Sequence, residues 1–370
     1  MSQPVQTDFN SIAQHFRIEG QFVDARPYGF GHINDTYAAR FRKVDGRNQR
    51  YILQRINHNV FKRPEDVMHN MELVTEHMRA KITDDGGDAA RETVTLIPTV
   101  DGKSYCKSSA GDYWRVCGFI EGARTYLKAE HLDHYYHAAK AFGRFLAMLS
   151  DFPTGQLYET IPDFHHTPKR FLAFIEAVEK DAHNRAKSVR PEIEFVLQRA
   201  DETGVLIRLL EAGAMPERVI HNDAKLDNVM IDIESGEGIC VIDLDTVMPG
   251  LAVLDFGDSV RSAANPAVED EQDLSKVFVD IKIFERLAHG FLDEVRYFLS
   301  PIELDHLAFG AKLITLEQSI RFLTDHINGD VYYKIDRENH NLDRCRTQIK
   351  MVRDMEAKLE QMSEIVERYR

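Results

Sequence analysis

Cysteine is scarce and scattered in this chain of 370 residues. The four cysteines form no CxxC pair, so we expect reduced thiols and neither a disulfide framework nor a zinc site. An excess of basic residues is also missing, because the net charge is −14. This charge argues against nucleic acid as the main partner. No apolar run approaches membrane-spanning length, and residues 1–10 lack the apolar core of a signal peptide. We therefore expect a cytoplasmic protein that binds no membrane.

The chain is long enough for two lobes with substantial cores. Strand patterns dominate its first third, at 21–27, 37–41, 51–55 and 113–120, around one amphipathic helix at 64–80. Helical periodicity dominates the rest, at 132–149, 191–212, 273–299, 303–327 and 345–369. The change near residue 120 predicts an α+β fold with a small β-rich lobe, 1–120, and a larger helical lobe, 121–370.

The most informative stretch runs from His221 to Asn228 and contains the pattern H-x-D-x-x-x-x-N. In kinase-type phosphotransferases the Asp of this pattern accepts the proton of the attacking hydroxyl, and the Asn holds Mg²⁺ on ATP. The pattern predicts Asp223 as the catalytic base and Asn228 as a metal ligand. Lys225 follows the base by two residues and is predicted to offset charge on the γ-phosphate.

A second metal ligand is predicted from a hairpin. Apolar strands at 229–233 and 239–243 flank a turn of Glu, Ser and Gly, which would bring Asn228 beside Asp243. Two such oxygen ligands suit Mg²⁺, which completes its shell with phosphate and water. Asp255 begins a DFG triplet that this hairpin does not reach, and we expect it to brace the catalytic loop by accepting backbone N–H bonds. Asp245 is either a further ligand or a solvated carboxylate.

Nucleotide-binding groups are predicted in the first lobe. Gly29 and Gly31 lie in a strand–loop–strand hairpin, where backbone N–H groups can approach phosphates. Arg55 ends a strand at the point where kinases place a phosphate-binding Lys, although a surface role is equally compatible and Gln54 is the other candidate. Glu72 and Glu76 are candidates to pair with Arg55.

Two further sites carry weaker signals. Glu121 follows the strand 113–120 at the expected connection between lobes, where backbone groups would read adenine. His165 and His166 form an adjacent pair without a partner cluster, which is more typical of polar surface than of a metal site.

The order of these motifs resembles that of the aminoglycoside phosphotransferase-like kinases, which have the protein-kinase fold and phosphorylate small molecules. The resemblance covers essentially the whole chain. Five segments look more closely like the N-acetylhexosamine 1-kinases: Tyr28-Gly-Phe-Gly-His32-Ile-Asn-Asp35-Thr-Tyr37, Leu53-Gln-Arg-Ile-Asn57, His221-Asn-Asp-Ala-Lys-Leu-Asp-Asn228, Val241-Ile-Asp-Leu-Asp-Thr-Val-Met-Pro-Gly250 and Arg321-Phe-Leu-Thr-Asp-His-Ile-Asn-Gly-Asp-Val-Tyr-Tyr333.

The resemblance implies transfer of the ATP γ-phosphate to the anomeric hydroxyl of N-acetylglucosamine or N-acetylgalactosamine. It also implies four sugar-binding residues, His32, Asp35, Arg321 and Tyr332. Two positions depart from the family pattern, which typically has Thr at position 224 and Asn at position 227, where this chain has Ala and Asp. Neither change removes a catalytic group, so both bear on the sugar pocket rather than on the reaction type.

The sequence therefore predicts a sugar 1-kinase that uses ATP and Mg²⁺, as a monomer or homodimer. Three alternatives remain at this point. The acceptor can be another small alcohol, such as a different sugar, choline, homoserine, methylthioribose or an aminoglycoside. The chain can be a non-catalytic nucleotide-binding module, or a protein kinase, although the short segment after Asp243 leaves little room for a regulated activation loop.

Overall fold

The computed structural model describes residues 7–29, 31 and 33–370, so the predicted sugar ligand His32 lies outside the described residues. The first part of the chain contains helices α1 (Phe9–Ala13), α2 (Pro64–Asp84) and α3 (Ala89–Glu92), and strands β1 (Gln21–Pro27), β2 (Asp35–Arg42), β3 (Asn48–Ile56), β4 (Tyr105–Lys107) and β5 (Tyr113–Gly118). The strands form one antiparallel sheet in the order β1-β2-β3-β5-β4.

Both faces of this sheet are covered. On one face Tyr51 and Leu53 of β3 pack with Trp114 and with α1. On the other face Ile52 and Ile56 join the main core, which includes the apolar side of α2. Side chains alternate between faces along a strand. We call the face that joins the main core the inner face, because its residues are the ones that can contact the rest of the molecule.

The second part is mainly helical. Its helices are α4 (Leu132–Met148), α5 (Thr167–Lys180), α6 (Arg190–Leu197), α7 (Ala200–Thr203), α8 (Val205–Glu211), α9 (Ala252–Ala263), α10 (Ile281–Val295), α11 (Pro301–Asp305), α12 (Leu307–Ile327) and α13 (His340–Tyr369). Short strands β6 (Ala123–Arg124), β8 (Val229–Asp232) and β9 (Gly238–Val241) form one small sheet, and β7 (Arg218–Ile220) pairs with β10 (Met248–Gly250). This distribution confirms the predicted α+β fold and the hairpin of β8 and β9.

Helix α12 is the centre of the helical part, because it packs against α5, α9 and α13 and is buried on nearly every side. Glycines let α9 approach it closely. A Cβ on Gly257 would lie 2.8 Å from the backbone of Gly310, and a Cβ on Gly310 would lie 2.5 Å from the Val253 carbonyl oxygen. This contact fixes the position of α9, which begins directly after β10.

Some predicted helices are broken or shortened in the structure, and the segment predicted as a helix at 303–327 is divided into α11 and α12. The segment predicted as a helix at 191–212 is broken into α6, α7 and α8. The helix predicted at 273–299 begins only at Ile281, because the Asp280 side chain caps it by accepting a hydrogen bond from the Lys282 N–H. The division into lobes at residue 120 remains a prediction, although β5 belongs to the first sheet and β6 to the second. In the described part of the chain, no helix is both long and apolar enough to span a membrane.

Candidate active site

The loop after β7 carries the H-x-D-x-x-x-x-N motif and is fixed by buried hydrogen bonds. The Asp255 carboxylate accepts from the backbone N–H groups of His221 and Asn222, both at 2.7 Å. This confirms the bracing role predicted for Asp255. Asn222 adopts a left-handed conformation with φ of 64°, which costs free energy and persists only where surrounding contacts enforce it.

Asp223, Lys225 and Asn228 meet at the open side of this loop. The Lys225 ammonium lies 3.0 Å from the Asp223 carboxylate. The Asn228 amide donates to the Asp223 carbonyl at 2.9 Å and to its carboxylate at 3.2 Å. Burial alone would raise the pKa of Asp223, but the charges of Lys225 and His221 outweigh it and lower that pKa. Asp223 is therefore ionised at neutral pH and able to accept a hydrogen bond from an acceptor hydroxyl.

Asp243 lies opposite Asn228, as the hairpin predicts. The Ile242 N–H donates to the Asn228 carbonyl at 2.9 Å, which places the next residue at the end of the motif. Asp243 has a left-handed backbone conformation, with φ of 59°, and the residue is exposed to solvent although protein surrounds it. Burial and the charges of Asp245 and Asp223 raise its pKa to about 6.

These oxygens suit a Mg²⁺ ion. A cation would relieve the mutual repulsion among the carboxylates. The Asn228 side chain hydrogen-bonds Asp223 through its amide nitrogen and not through its amide oxygen, which is the atom that can bind a metal. Within residues 7–29, 31 and 33–370, no group of three or more His, Cys, Asp or Glu side chains forms a complete metal site. Mg²⁺ usually takes one or two protein carboxylates and relies on substrate phosphates for the rest of its ligands.

The inner face of the sheet meets this site through Arg115, a residue that no sequence motif indicates. Its guanidinium donates to the Gln54 side chain at 2.8 Å and forms a buried ion pair with Asp245. The Asn34 side chain donates to the same Asp245 carboxylate. Asp245 is thus neither solvated nor a free ligand, but joins the sheet to the segment that carries Asp243.

The prediction for Arg55 is corrected by this arrangement. Arg55 points to the opposite face of β3 from Gln54 and pairs with Asp35 and Asp112. The predicted phosphate ligand Arg55 and the predicted sugar ligand Asp35 therefore contact each other, and Arg55 does not face the catalytic loop. Among the described residues, neither Glu72 nor Glu76 forms an ion pair with it.

Arg115 and Arg55 are expected to differ sharply when each is replaced by Met. Arg115→Met leaves Asp245 buried without its partner, so the free energy of unfolding should fall by about 3–5 kcal/mol. Arg55→Met breaks an exposed pair and should cost below about 1 kcal/mol. Urea denaturation of both variants measures the difference, and equal losses would contradict the role given to Arg115.

The glycine loop and the connection to the second part of the chain lie close together. The Tyr28 ring packs edge-on against Phe119 at 5.3 Å, and the Arg50 guanidinium lies 3.7 Å from the centre of the Phe119 ring. Arg50 also pairs with the Glu121 carboxylate. The roles of Gly29, Gly31 and Glu121 in nucleotide binding remain predictions, and Gly29 has the positive φ of 81° that favours glycine.

A cationic and aromatic surface lies next to His165, whose ring is hydrogen-bonded to the Asn222 carbonyl of the catalytic loop. The Arg321 guanidinium lies 5.2 Å from the Phe164 ring and 5.8 Å from the Tyr333 ring, and donates to Gln318 at 3.2 Å. The exposed ring of Tyr332 packs on Tyr333. We call the four side chains Phe164, Arg321, Tyr332 and Tyr333 the aromatic wall.

The buried Asp325 carboxylate orders the segment that carries the two tyrosines. It accepts hydrogen bonds from the backbone N–H groups of Val331, Tyr332 and Tyr333 at 2.8–2.9 Å. Arg321 and Tyr332, both predicted from the family resemblance, are thus brought together by the structure. Their role in binding a sugar remains a prediction.

Comparison with known proteins places the chain among phosphotransferases. The profile of the phosphotransferase enzyme family matches residues 24–275. An aminoglycoside phosphotransferase from Alicyclobacillus acidocaldarius subsp. acidocaldarius DSM 446 is similar at 12% identity and a TM-score of 0.60, over 100% of this chain and 98% of that one. A microcompartment-associated aminopropanol kinase is similar at 14% identity and 0.57, over 95% and 98%. An amicoumacin kinase in complex with AMP-PNP and Ca²⁺ is similar at 14% identity and 0.56, over 93% of each chain. These likenesses confirm the predicted kinase-like fold.

Proposed function

Because the chain belongs to the phosphotransferase enzyme family, we propose that it is an ATP- and Mg²⁺-dependent kinase that phosphorylates the anomeric hydroxyl of an N-acetylhexosamine. The ion pair of Asp223 and Lys225, with Asn228 and Asp243 facing each other, supports the phosphoryl transfer. The similar amicoumacin kinase was solved with AMP-PNP and Ca²⁺, which supports a nucleotide and a divalent cation as cofactors.

In the proposed reaction Asp223 accepts a hydrogen bond from the acceptor hydroxyl, orients its oxygen and takes its proton. Lys225, held beside Asp223, would offset negative charge on the transferred phosphoryl group. Asn228 and Asp243 would hold Mg²⁺, which neutralises charge on the phosphates when bound. Most of the rate enhancement would come from position and electrostatics, as is usual for phosphoryl transfer.

The observation that carries the acceptor class is the guanidinium of Arg321 in the aromatic wall. A cation beside the catalytic loop disfavours positively charged acceptors such as amino alcohols. An N-acetylhexosamine is neutral, and its acetamide carbonyl and hydroxyls can accept hydrogen bonds from Arg321. The apolar face of a sugar ring can pack on the exposed Tyr332 ring.

A coupled ADP-release assay with Mg·ATP and a panel of acceptors tests this proposal. The panel holds N-acetylglucosamine, N-acetylgalactosamine, glucose, galactose, choline, aminopropanol and homoserine. The highest kcat/KM is expected for one of the two N-acetylhexosamines. A higher value for choline or aminopropanol would overturn the acceptor class while leaving the kinase assignment in place.

Arg321→Ala is expected to weaken acceptor binding selectively. Hydrogen bonds to a charged group contribute roughly 1.5–3 kcal/mol, so the acceptor KM should rise about 10- to 100-fold while the KM for Mg·ATP stays unchanged. Arg353→Ala is the matched control, since that guanidinium also lies over an aromatic ring, Phe195, but on α13 against α6. An unchanged acceptor KM in Arg321→Ala would remove Arg321 from the acceptor site.

A further inference from the structure

His165 has both ring nitrogens engaged by buried oxygen atoms. Nδ1 lies 2.8 Å from the Glu317 carboxylate, and Nε2 lies 3.0 Å from the Asn222 carbonyl oxygen. The second oxygen of Glu317 accepts a hydrogen bond from the Thr167 hydroxyl at 2.7 Å. The expectation that His165 is polar surface is therefore wrong, because its side chain is only 10% exposed and that of Glu317 only 1%.

The chemistry of these contacts fixes the direction of the hydrogen bond to the loop. A backbone carbonyl can only accept, so Nε2 of His165 carries a proton and donates it to Asn222. Burial alone would lower the pKa of His165, but the Glu317 carboxylate outweighs it and raises that pKa. Burial would likewise raise the pKa of Glu317, but His165 and Arg321 lower it. Both shifts favour a buried imidazolium–carboxylate pair.

Such a pair is a weak means of stabilising a fold, because removing two charges from water costs nearly as much as their attraction returns. Its location is more informative. Asn222 is the strained residue directly before Asp223, and its backbone is held on both sides, by Asp255 at the N–H and by His165 at the carbonyl. A change at His165 therefore acts on the peptide that sets the direction of Asp223.

We propose that His165 and Glu317 are positioning residues for the catalytic base Asp223, and that they connect the base to the acceptor side of the site. This inference rests on the proposed function, because it takes Asp223 as the base. Glu317 and Arg321 are four residues apart on α12, so they lie on the same face of that helix. The helix that carries the acceptor-side cation thus also holds the catalytic loop in place.

Two substitutions of His165 separate positioning from packing. In His165→Asn the amide nitrogen corresponds to Nδ1 and loses the bond to the Asn222 carbonyl, whereas in His165→Gln the longer amide can still donate to it. We expect kcat to fall on the order of 10-fold or more in His165→Asn, because small misplacements of a reacting group have large effects on rate. His165→Gln should recover several-fold of that loss, and the KM for Mg·ATP should change by less than about twofold in both variants.

The control is His166→Gln, next in sequence, because among the described residues the hydrogen bond of the His166 ring is local: it accepts from the Lys169 N–H at 3.3 Å at the start of its own helix. The kcat of this variant should match that of the parent. Glu317→Gln is the second test, because it is isosteric and keeps the fold if His165→Asn does not. Both are measured with the best acceptor of the panel, alongside thermal unfolding.

The positioning role is overturned if His165→Asn and Glu317→Gln keep the parent kcat, or if Asn and Gln at position 165 are equally impaired. Failure of the proposed function gives a different result. In that case Asp223→Asn would retain turnover, or the parent would release no acceptor-dependent ADP.

Discussion

Asp223→Asn is expected to reduce kcat by about 10²-fold or more while leaving the KM for Mg·ATP nearly unchanged. The substitution preserves shape, but an amide can neither accept the hydroxyl proton nor carry the charge that pairs with Lys225. The Asn228 amide already donates to the Asp223 carboxylate, so the asparagine remains positioned and the loss isolates the chemical step. Steady-state ADP release at saturating acceptor measures it.

Asp227→Asn is the control for this prediction. It removes a carboxylate from the same loop and introduces the residue expected at this position from the resemblance to the N-acetylhexosamine 1-kinases, so kcat should stay within a few-fold of the parent. Parental turnover in Asp223→Asn would contradict the assignment of the base. A comparable loss in both variants would point to loop damage instead.

Asp243→Asn is expected to abolish efficient use of Mg·ATP. The substitution removes the charge of the proposed metal ligand that faces Asn228, and it relieves the repulsion among Asp243, Asp245 and Asp223. The apparent dissociation constant for Mg²⁺ should therefore rise steeply, on the order of 10²-fold. Thermal stability without metal should stay equal to that of the parent or increase. A magnesium titration at fixed ATP measures the first effect, and an unchanged magnesium dependence would contradict the metal role.

The pH dependence of magnesium use follows from the same carboxylate. The pKa of Asp243 is raised to about 6, so between its ordinary value and about 6 the folded metal-free protein binds a proton that the unfolded chain has released. The stabilisation that protonated Asp243 gives to the metal-free protein is thus lost as pH rises through about 6. Protons compete with Mg²⁺ below about pH 6. There the apparent dissociation constant for Mg²⁺ in the parent should rise roughly tenfold for each unit by which the pH falls. Asp243→Asn should lack this pH dependence.

The parts of the site that the sequence predicts are those built from local segments. The motif from His221 to Asn228 and the hairpin that returns Asp243 lie within one short stretch, so spacing alone brings them together. Asp255 could be assigned to the loop because Pro249 and Gly250 keep it away from the hairpin. In each case a few residues of strand or turn fix the geometry.

The register of β3 could not be predicted in the same way. Gln54 and Arg55 are adjacent, and a shift of one residue exchanges the two faces of a strand. Apolar residues occur on both faces of β3, with Leu53 on the outer face and Ile52 on the inner face. The alternation of polarity therefore does not indicate which face is the inner one. Only the paired strands show that Gln54 lies on the inner face opposite Arg115.

The other contacts of the site that could not be predicted are long-range ion pairs. Arg115 and Asp245 are 130 residues apart, and His165 and Glu317 are 152 residues apart, so no spacing rule connects them. The one available signal for Arg115 was its place within an apolar strand, since a buried arginine almost always requires a charged partner. For His165 no comparable signal existed.

The most direct test of the central claim is ³¹P NMR of the product formed from ¹³C-labelled N-acetylglucosamine and Mg·ATP. We predict one phosphate ester for each ADP released, coupled to the anomeric carbon and lost in mild acid, and none with Asp223→Asn. Phosphate on a different hydroxyl, or no acceptor-dependent ADP release from the sugars and alcohols of the panel, would contradict the account.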